Sequence, residues 1–158
     1  MFRPLRRSKK QISEEAAKQL LLNEKRAVFA VNGDDGYPFA IPVNYFYDEK
    51  NNKIYLHGAR EGHKVDSLKK CDKVCFTVYG NERFEENDWA PYLQSVVVFG
   101  RCRLVSEKDI TEFMLRAIAQ RYYPTESEIN EDMAKYLSAV QVYEIAIEHM
   151  CGKEIHER

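Results

Sequence analysis

The chain lacks any long hydrophobic run: its most apolar stretch, residues 96–99, falls far short of the roughly 20 residues that a membrane-crossing helix needs. It also lacks the apolar core of a signal peptide, and its four cysteines, Cys71, Cys75, Cys102 and Cys151, stand at irregular spacing with no sign of a disulfide framework. A soluble, cytoplasmic protein with no membrane partner is expected. An excess of one charge is missing too, with 24 basic against 25 acidic residues. That balance gives no support to a uniformly basic nucleic-acid-binding face, although local patches stay open. Internal repeats and low-complexity segments are absent. What remains is enough for one domain over residues 1–158, since a chain of this length buries roughly two thirds of the surface its unfolded form exposes.

Residues 1–10 carry Arg3, Arg6, Arg7, Lys9 and Lys10 with little apolar content, and read as a basic arm, either a solvated tail or an anion-binding extension. Ser13 ahead of Glu14 and Glu15 makes an N-cap with an acidic first turn, and Ala16, Ala17, Leu20 and Leu21 supply a helical stripe that ends near Asn23. Strands are expected at 27–31, 38–47 and 54–58, joined by the Gly33-Asp34-Asp35-Gly36 turn and a second turn at 48–52. Short turns between consecutive strands predict an antiparallel meander, because parallel neighbours need long crossovers. A short helix at 63–70, a strand at 74–79 and a loop at 80–91 follow. A valine-rich strand at 95–105 comes next, in which Gly100 predicts a bulge or sharp bend. Helices at 107–123 and 128–137 precede a last strand at 140–148. Six strands with peripheral helices predict a mainly β fold, a small and partly open barrel, since a flat sheet would leave long unpaired edges.

Chemistry-bearing residues concentrate between Pro38 and Lys64. Strand alternation puts Phe39, Ile41, Val43 and Tyr45 on one face and Ala40, Pro42, Asn44 and Phe46 on the other. Asn44 is a polar residue among apolar neighbours, so its amide either bonds the backbone or meets a polar ligand. Pro42 has no ladder donor, which predicts a missing neighbour strand on one side. His57 ends its strand beside Gly58 and Ala59, where small side chains admit close approach; it is either a structural hydrogen-bonder or a ligand contact. A helix beginning near His63 would aim unpaired N–H groups and its dipole at an anion, with Arg60, His63 and Lys64 as added donors. Lys64 in the first turn opposes the dipole by about 0.3 to 1 kcal/mol, a penalty that a bound anion removes. A phosphorylated cofactor is therefore expected.

A metal is not. Cys71 and Cys75, if extended, lie about 13 Å apart at roughly 3.3 Å per residue, too far to share an ion held at about 2.3 Å from each sulfur. No constellation for cysteine or serine nucleophilic catalysis is found, and no catalytic side chain is assigned.

The same residues carry a resemblance over nearly the whole chain. Gly36-Tyr37-Pro38 leading into Pro42-Val43-Asn44-Tyr45, residues 54–59 leading into Gly62-His63-Lys64, residues 73–78, residues 95–101 and residues 147–153 together resemble the FMN-binding split-barrel superfamily typified by pyridoxamine 5'-phosphate oxidase, especially its nitroimidazole-resistance (nitroimidazole reductase-like) branch. The resemblance implies a six-stranded antiparallel split β-barrel that dimerises and holds two FMN molecules at the subunit interface. By position, Ile41, Pro42, Val43 and Asn44 would follow the flavin ring and ribityl chain, and His57, Gly58 and Ala59 would lie near the ring or phosphate. His63 and Lys64 would hold the phosphate, and Ser95 and Val97 would approach from the long strand, from either subunit; His149 and Lys153 are further candidates. Ile41 replaces an arginine of the pyridoxamine phosphate oxidases, and their C-terminal tryptophan and arginine motif is missing, which sets this chain apart from those enzymes.

The function this implies is an FMN-dependent oxidoreductase that passes electrons from a reduced nicotinamide to a small molecule such as a nitroaromatic or quinone. A non-catalytic flavin carrier and a haem-binding split barrel, with His57, His63 or His149 as axial ligand, are the alternatives. Trp89 and Tyr92, after an acidic loop, add to the expectation of a homodimer.

Overall fold

A computed structural model describes residues 1–156. Its architecture is the expected mainly β one, a seven-stranded antiparallel sheet with four α-helices at its periphery. Helix α1 (Glu14–Asn23) starts where the sequence places it, with the Ser13 hydroxyl accepting from the Ala16 amide at 3.1 Å, and it buries Ala17, Leu20 and Leu21. Strands β1 (Arg26–Asn32) and β2 (Pro38–Asn44) form the expected hairpin around Asp35, which takes the left-handed φ of 55°. Phe39 and Val43 pack on the core while Ala40 and Pro42 face out.

The predicted strand at 38–47 is broken, and this is why there are seven strands and not six. Tyr45 is fully buried, and its backbone leaves the ladder: its N–H donates to the Tyr122 hydroxyl at 2.9 Å and its carbonyl accepts from Arg121 at 2.9 Å. A separate short strand β3 (Phe46–Asp48) then pairs with β4 (Lys53–Ala59). The expected meander fails at the same place. The sheet order is β2-β1-β5-β6-β7-β4-β3, so β2 and β3 stand at opposite ends, each bonded on one side only. The ends approach one another at β2 and β4 without pairing, which makes the barrel a split one. Pro42 sits on the free edge of this sheet, as a residue without an N–H should.

Helix α2 (His63–Lys70) leads to β5 (Lys73–Arg83), which runs into the predicted loop, and then to β6 (Tyr92–Leu104). The register slips between Phe99 and Gly100, the expected bulge; a Cβ at Gly100 would drive into the Ala146 carbonyl. Helices α3 (Lys108–Tyr122) and α4 (Glu126–Tyr136) pack as a hairpin over a second, smaller apolar cluster around Met114, Leu115, Ile118 and Val142. Phe113 is 68% exposed, because the buried side of α3 runs through Met114, Leu115, Ile118 and Ala119. Strand β7 (Val140–His156) outruns its prediction by eight residues, pairing with both β4 and β6. The basic arm is docked on it: Gln11 bridges to Lys153, and Phe2 stacks on His149 at 4.7 Å and on Phe99 at 5.7 Å.

Among the described residues, one face of the sheet is covered only at one corner, where Phe2 lies over Phe99 and His149. Opposite residues of antiparallel pairs share a face, so Pro42, Val28, Thr77, Val97 and Cys151 form one row across five strands. A neighbouring row runs Ala40, Ala30, Cys75, Phe99 and His149.

Candidate functional site

At the split, where β2 and β4 approach without pairing, an open groove of about 460 Å³ is lined by Ile41, Pro42, Val43, Asn44, His57 and Lys64, joined by Arg26. Six residues singled out from sequence therefore meet in space. Four belong to an edge strand whose backbone is free on one side, His57 lies near the end of β4, and Lys64 is in the first turn of α2. The Asn44 amide makes no hydrogen bond to another described residue, which leaves the ligand-facing alternative for that side chain.

Lys64 dominates the electrostatics. Its ammonium lies 4.2 Å from the centre of the Tyr143 ring, half-buried, and burial pushes its pKa below the ordinary lysine value. Among the described residues no carboxylate reaches it within ion-pair distance, and none lines the groove. The cation is held instead by a π face, an interaction worth about 0.5 to 2 kcal/mol depending on desolvation. Room for it comes from Gly58, where a Cβ would come within 2.8 Å of the Lys64 nitrogen. Tyr143 is fixed in turn by its hydroxyl, which donates to the Ala59 carbonyl at 2.5 Å. Gly58 and Ala59 thus support Lys64 and Tyr143 behind the groove and do not line it. Helix α2 begins after Gly62, whose φ of 117° suits only glycine, and no side chain caps its first N–H groups.

His57 has a lowered pKa, first because protein atoms desolvate one side of its ring and second because Lys64 lies nearby. His63 lies outside the groove, with its ring against Phe39 at 4.3 Å and Nε2 3.5 Å from Asp34 Oδ2, while Lys70 engages the other oxygen of that carboxylate, Oδ1, at 3.0 Å. Ser95 and Val97 do not line the groove of a single chain. They lie on the mostly uncovered sheet face, Val97 in the same row as Pro42. His149 and Lys153 are on that face as well, His149 under Phe2. No cluster of metal ligands occurs among the described residues.

Sequence reasoning missed two contributors. Arg26 stands directly opposite Asn44 in the β1–β2 register, and counting the hairpin outward from Asp35 would have found it. Its guanidinium also lies 5.4 Å from the Tyr122 ring. Tyr143 gave no signal, because an aromatic residue in a buried strand looks the same whether it packs on leucine or carries a lysine.

The groove therefore presents two cations, an unpaired amide and an apolar strand edge, a combination suited to a flat polar molecule with an anionic end. Comparisons with known proteins bear on the family and the fold. The family model for pyridoxamine 5'-phosphate oxidase matches residues 13–154. Among solved structures, a candidate 5-nitroimidazole antibiotic resistance protein from Bacteroides thetaiotaomicron superposes with a TM-score of 0.78 at 19% identity, covering 92% of this chain and 87% of that one. A FAD and haem binding protein from Mycobacterium smegmatis gives 0.73 at 21% identity, covering 94% and 74%. A FAD-binding protein from Mesorhizobium loti gives 0.65 at 19%, covering 92% and 96%. No curated protein sequence matches the chain significantly. At these identities the solved structures establish a shared fold.

Proposed function

Because the chain belongs to the pyridoxamine 5'-phosphate oxidase family, we propose that it is a flavoprotein that binds FMN in the β2–β4 groove and reduces a small nitroaromatic or quinone-like molecule with electrons from a reduced nicotinamide. The observation that carries this reading is the half-buried Lys64 ammonium, without a carboxylate partner among the described residues, in the space that Gly58 leaves open. A buried cation without a counter-ion is costly, and a phosphate supplies one. The residues present fit the cofactor: Lys64 with the first N–H groups of α2 for the phosphate, His63 at its margin, Asn44 for a ribityl hydroxyl, and Ile41, Pro42 and Val43 for the apolar ring edge. His57 borders the ring or phosphate, and Gly58 and Ala59 support the site from behind.

When bound, the flavin supplies the electron-transfer chemistry. The chain's own residues bind it, orient it and exclude water from one side. FAD-binding neighbours of the same fold favour a flavin in general; FMN is preferred here because the groove's cations sit close to its apolar edge, where a single phosphate ends the molecule.

The reading includes a homodimer. Ser95 and Val97 reach a flavin from the mostly uncovered sheet face, so a second copy seated on that face would bring them to its partner's groove. Val28 at 37%, Tyr79 at 63% and Phe99 at 41% exposure leave that face apolar.

The test is an absorbance spectrum of the freshly isolated protein, followed by mass identification of the molecule released on denaturation. FMN is expected, with oxidation of reduced nicotinamide accelerated by a nitroaromatic acceptor. FAD corrects the cofactor, a Soret band in place of a flavin spectrum overturns the reading, and flavin without turnover leaves a flavin carrier.

A further inference from the structure

Next to the groove, and sharing Asn44 and His57 with it, lies a second cavity of about 260 Å³ between the α3–α4 hairpin and the ends of β4 and β7. Its walls are apolar and aromatic, among them Leu115, Ile118, Met133, Tyr122 and Tyr136. Asp132 is the one carboxylate among its lining residues, and no lysine or arginine is among them. Asp132 interacts with the Tyr123 hydroxyl and forms no ion pair with a described residue. His57, the one histidine among the lining residues, is held toward its neutral form, and the remaining titratable groups there are the hydroxyls of Tyr122, Tyr123 and Tyr136. The cavity is smaller than the roughly 300 to 1,000 Å³ of drug-sized pockets, which limits its guest to one or two rings. Aromatic walls favour a flat molecule; the Tyr122 ring already carries Arg26 at 5.4 Å and Arg121 at 5.8 Å, and the Tyr136 ring carries Lys135 at 4.8 Å, so it is the single Asp132 carboxylate, without an ion-pair partner among the described residues, that selects for a cation over an anion.

Resting on the flavin reading for its role as substrate, we infer that the molecule taken here is a one- or two-ring aromatic or heteroaromatic compound bearing an amine or ammonium group, and that Asp132 sets this preference over acidic analogues. Asn44 and His57 belong to both spaces, so a guest in the cavity lies against whatever the groove holds. Arg26 and Lys64 line the groove and not the cavity, although the Arg26 guanidinium lies 5.4 Å from the Tyr122 ring, and Asp132 lines the cavity and not the groove.

The experiment measures dissociation constants by calorimetry for three probes of one size, para-nitrobenzylamine, para-nitrobenzyl alcohol and para-nitrobenzoate, on the protein as isolated at neutral pH and low salt. The amine should bind at least tenfold more tightly than the carboxylate. In Asp132→Asn that ratio should fall below about threefold while the alcohol changes by less than about twofold. Equal binding of the two ions, tighter binding of the carboxylate, absence of binding, or an unchanged ratio in the variant overturns the proposal. Should the variant not fold, intermolecular NOEs from the amine to the Met133 methyl group of the unaltered protein decide: they are expected, and contacts elsewhere overturn it. Flavin content is read from the same samples. A preserved charge preference in protein without flavin sinks the flavin reading and with it the substrate role, whereas flavin without the preference sinks Asp132 alone.

Discussion

Lys64 is held by a glycine that makes room for it, a tyrosine ring beneath it and no counter-ion among the described residues, so binding and stability pull in different directions at this residue. Replacing it with methionine removes the desolvated charge together with its cation–π contact, and the stability of the flavin-free protein should change by less than about 1 kcal/mol in urea. FMN should bind about 10- to 100-fold more weakly in the same variant, as expected for loss of a charge-assisted contact of roughly 1.5 to 3 kcal/mol, measured by fluorescence titration. Gly58→Ala tests the space directly. The new Cβ meets the flexible end of Lys64 and not backbone, so the fold should tolerate it while the displaced ammonium weakens FMN binding severalfold. Residue chemistry was the part of the groove most legible from sequence: Asn44 stood out as a polar residue in an apolar strand, and Lys64 as a cation on the wrong end of a helix. Arg26 required a register and Tyr143 a tertiary contact, neither of which a local pattern contains.

Strand β7 is clamped to β4 and β6 by one buried carboxylate. Burial alone would raise the pKa of Glu144, but hydrogen bonds from Arg103 at 2.9 Å, Lys53 at 3.1 Å and Tyr55 at 3.0 Å outweigh it and hold the carboxyl down at about 2. A carboxylate whose folded pKa lies below its unfolded value stabilises the fold fully above the unfolded value, near 4.5, and the contribution is lost as pH falls toward about 2. Glu144→Gln should therefore cost about 3 to 5 kcal/mol at neutral pH, because Arg103 and Lys53 lose their shared partner. The gap between variant and parent should narrow as pH falls from about 4.5 toward 2, read from urea midpoints across that range. A constant gap would mean that packing and not charge is responsible. At this scale the helices and hairpins were legible because caps, turns and periodicity are local. The break at Tyr45 and the far end of β7 were not, because side chains from α3 and the pairing of β7 with β6, both distant in sequence, decide how far those strands run.

Across the whole molecule, the connectivity that sequence suggested as a meander is divided between the two ends of the sheet, since strand pairing over long separations leaves no local mark. The mostly uncovered face is the largest consequence. If a second copy covers it and completes each FMN site, flavin retention must depend on protein concentration. Light scattering at micromolar concentration should give about twice the 18.5 kDa chain mass, and dilution through the dimer dissociation constant should release flavin in step with monomer formation. Retention that is indifferent to dilution while the dimer dissociates would confine the site to one chain. Phe99→Asp, on that face and 41% exposed, should shift the mass toward monomer without unfolding the chain.

The break at Tyr45 also governs how anything reaches the cavity beneath the helical hairpin. Arg121 donates to the carbonyls of Tyr45, Leu22 and Glu24 at 2.9, 2.9 and 2.7 Å, and the Tyr122 hydroxyl takes the Tyr45 amide, so the C-terminal turn of α3 is riveted to the backbone it covers. Swinging that turn outward would strip several buried partners at once. The hairpin is consequently a wall and not a door, and traffic must pass along the open seam of the barrel, where cofactor and guest would queue for the same entrance.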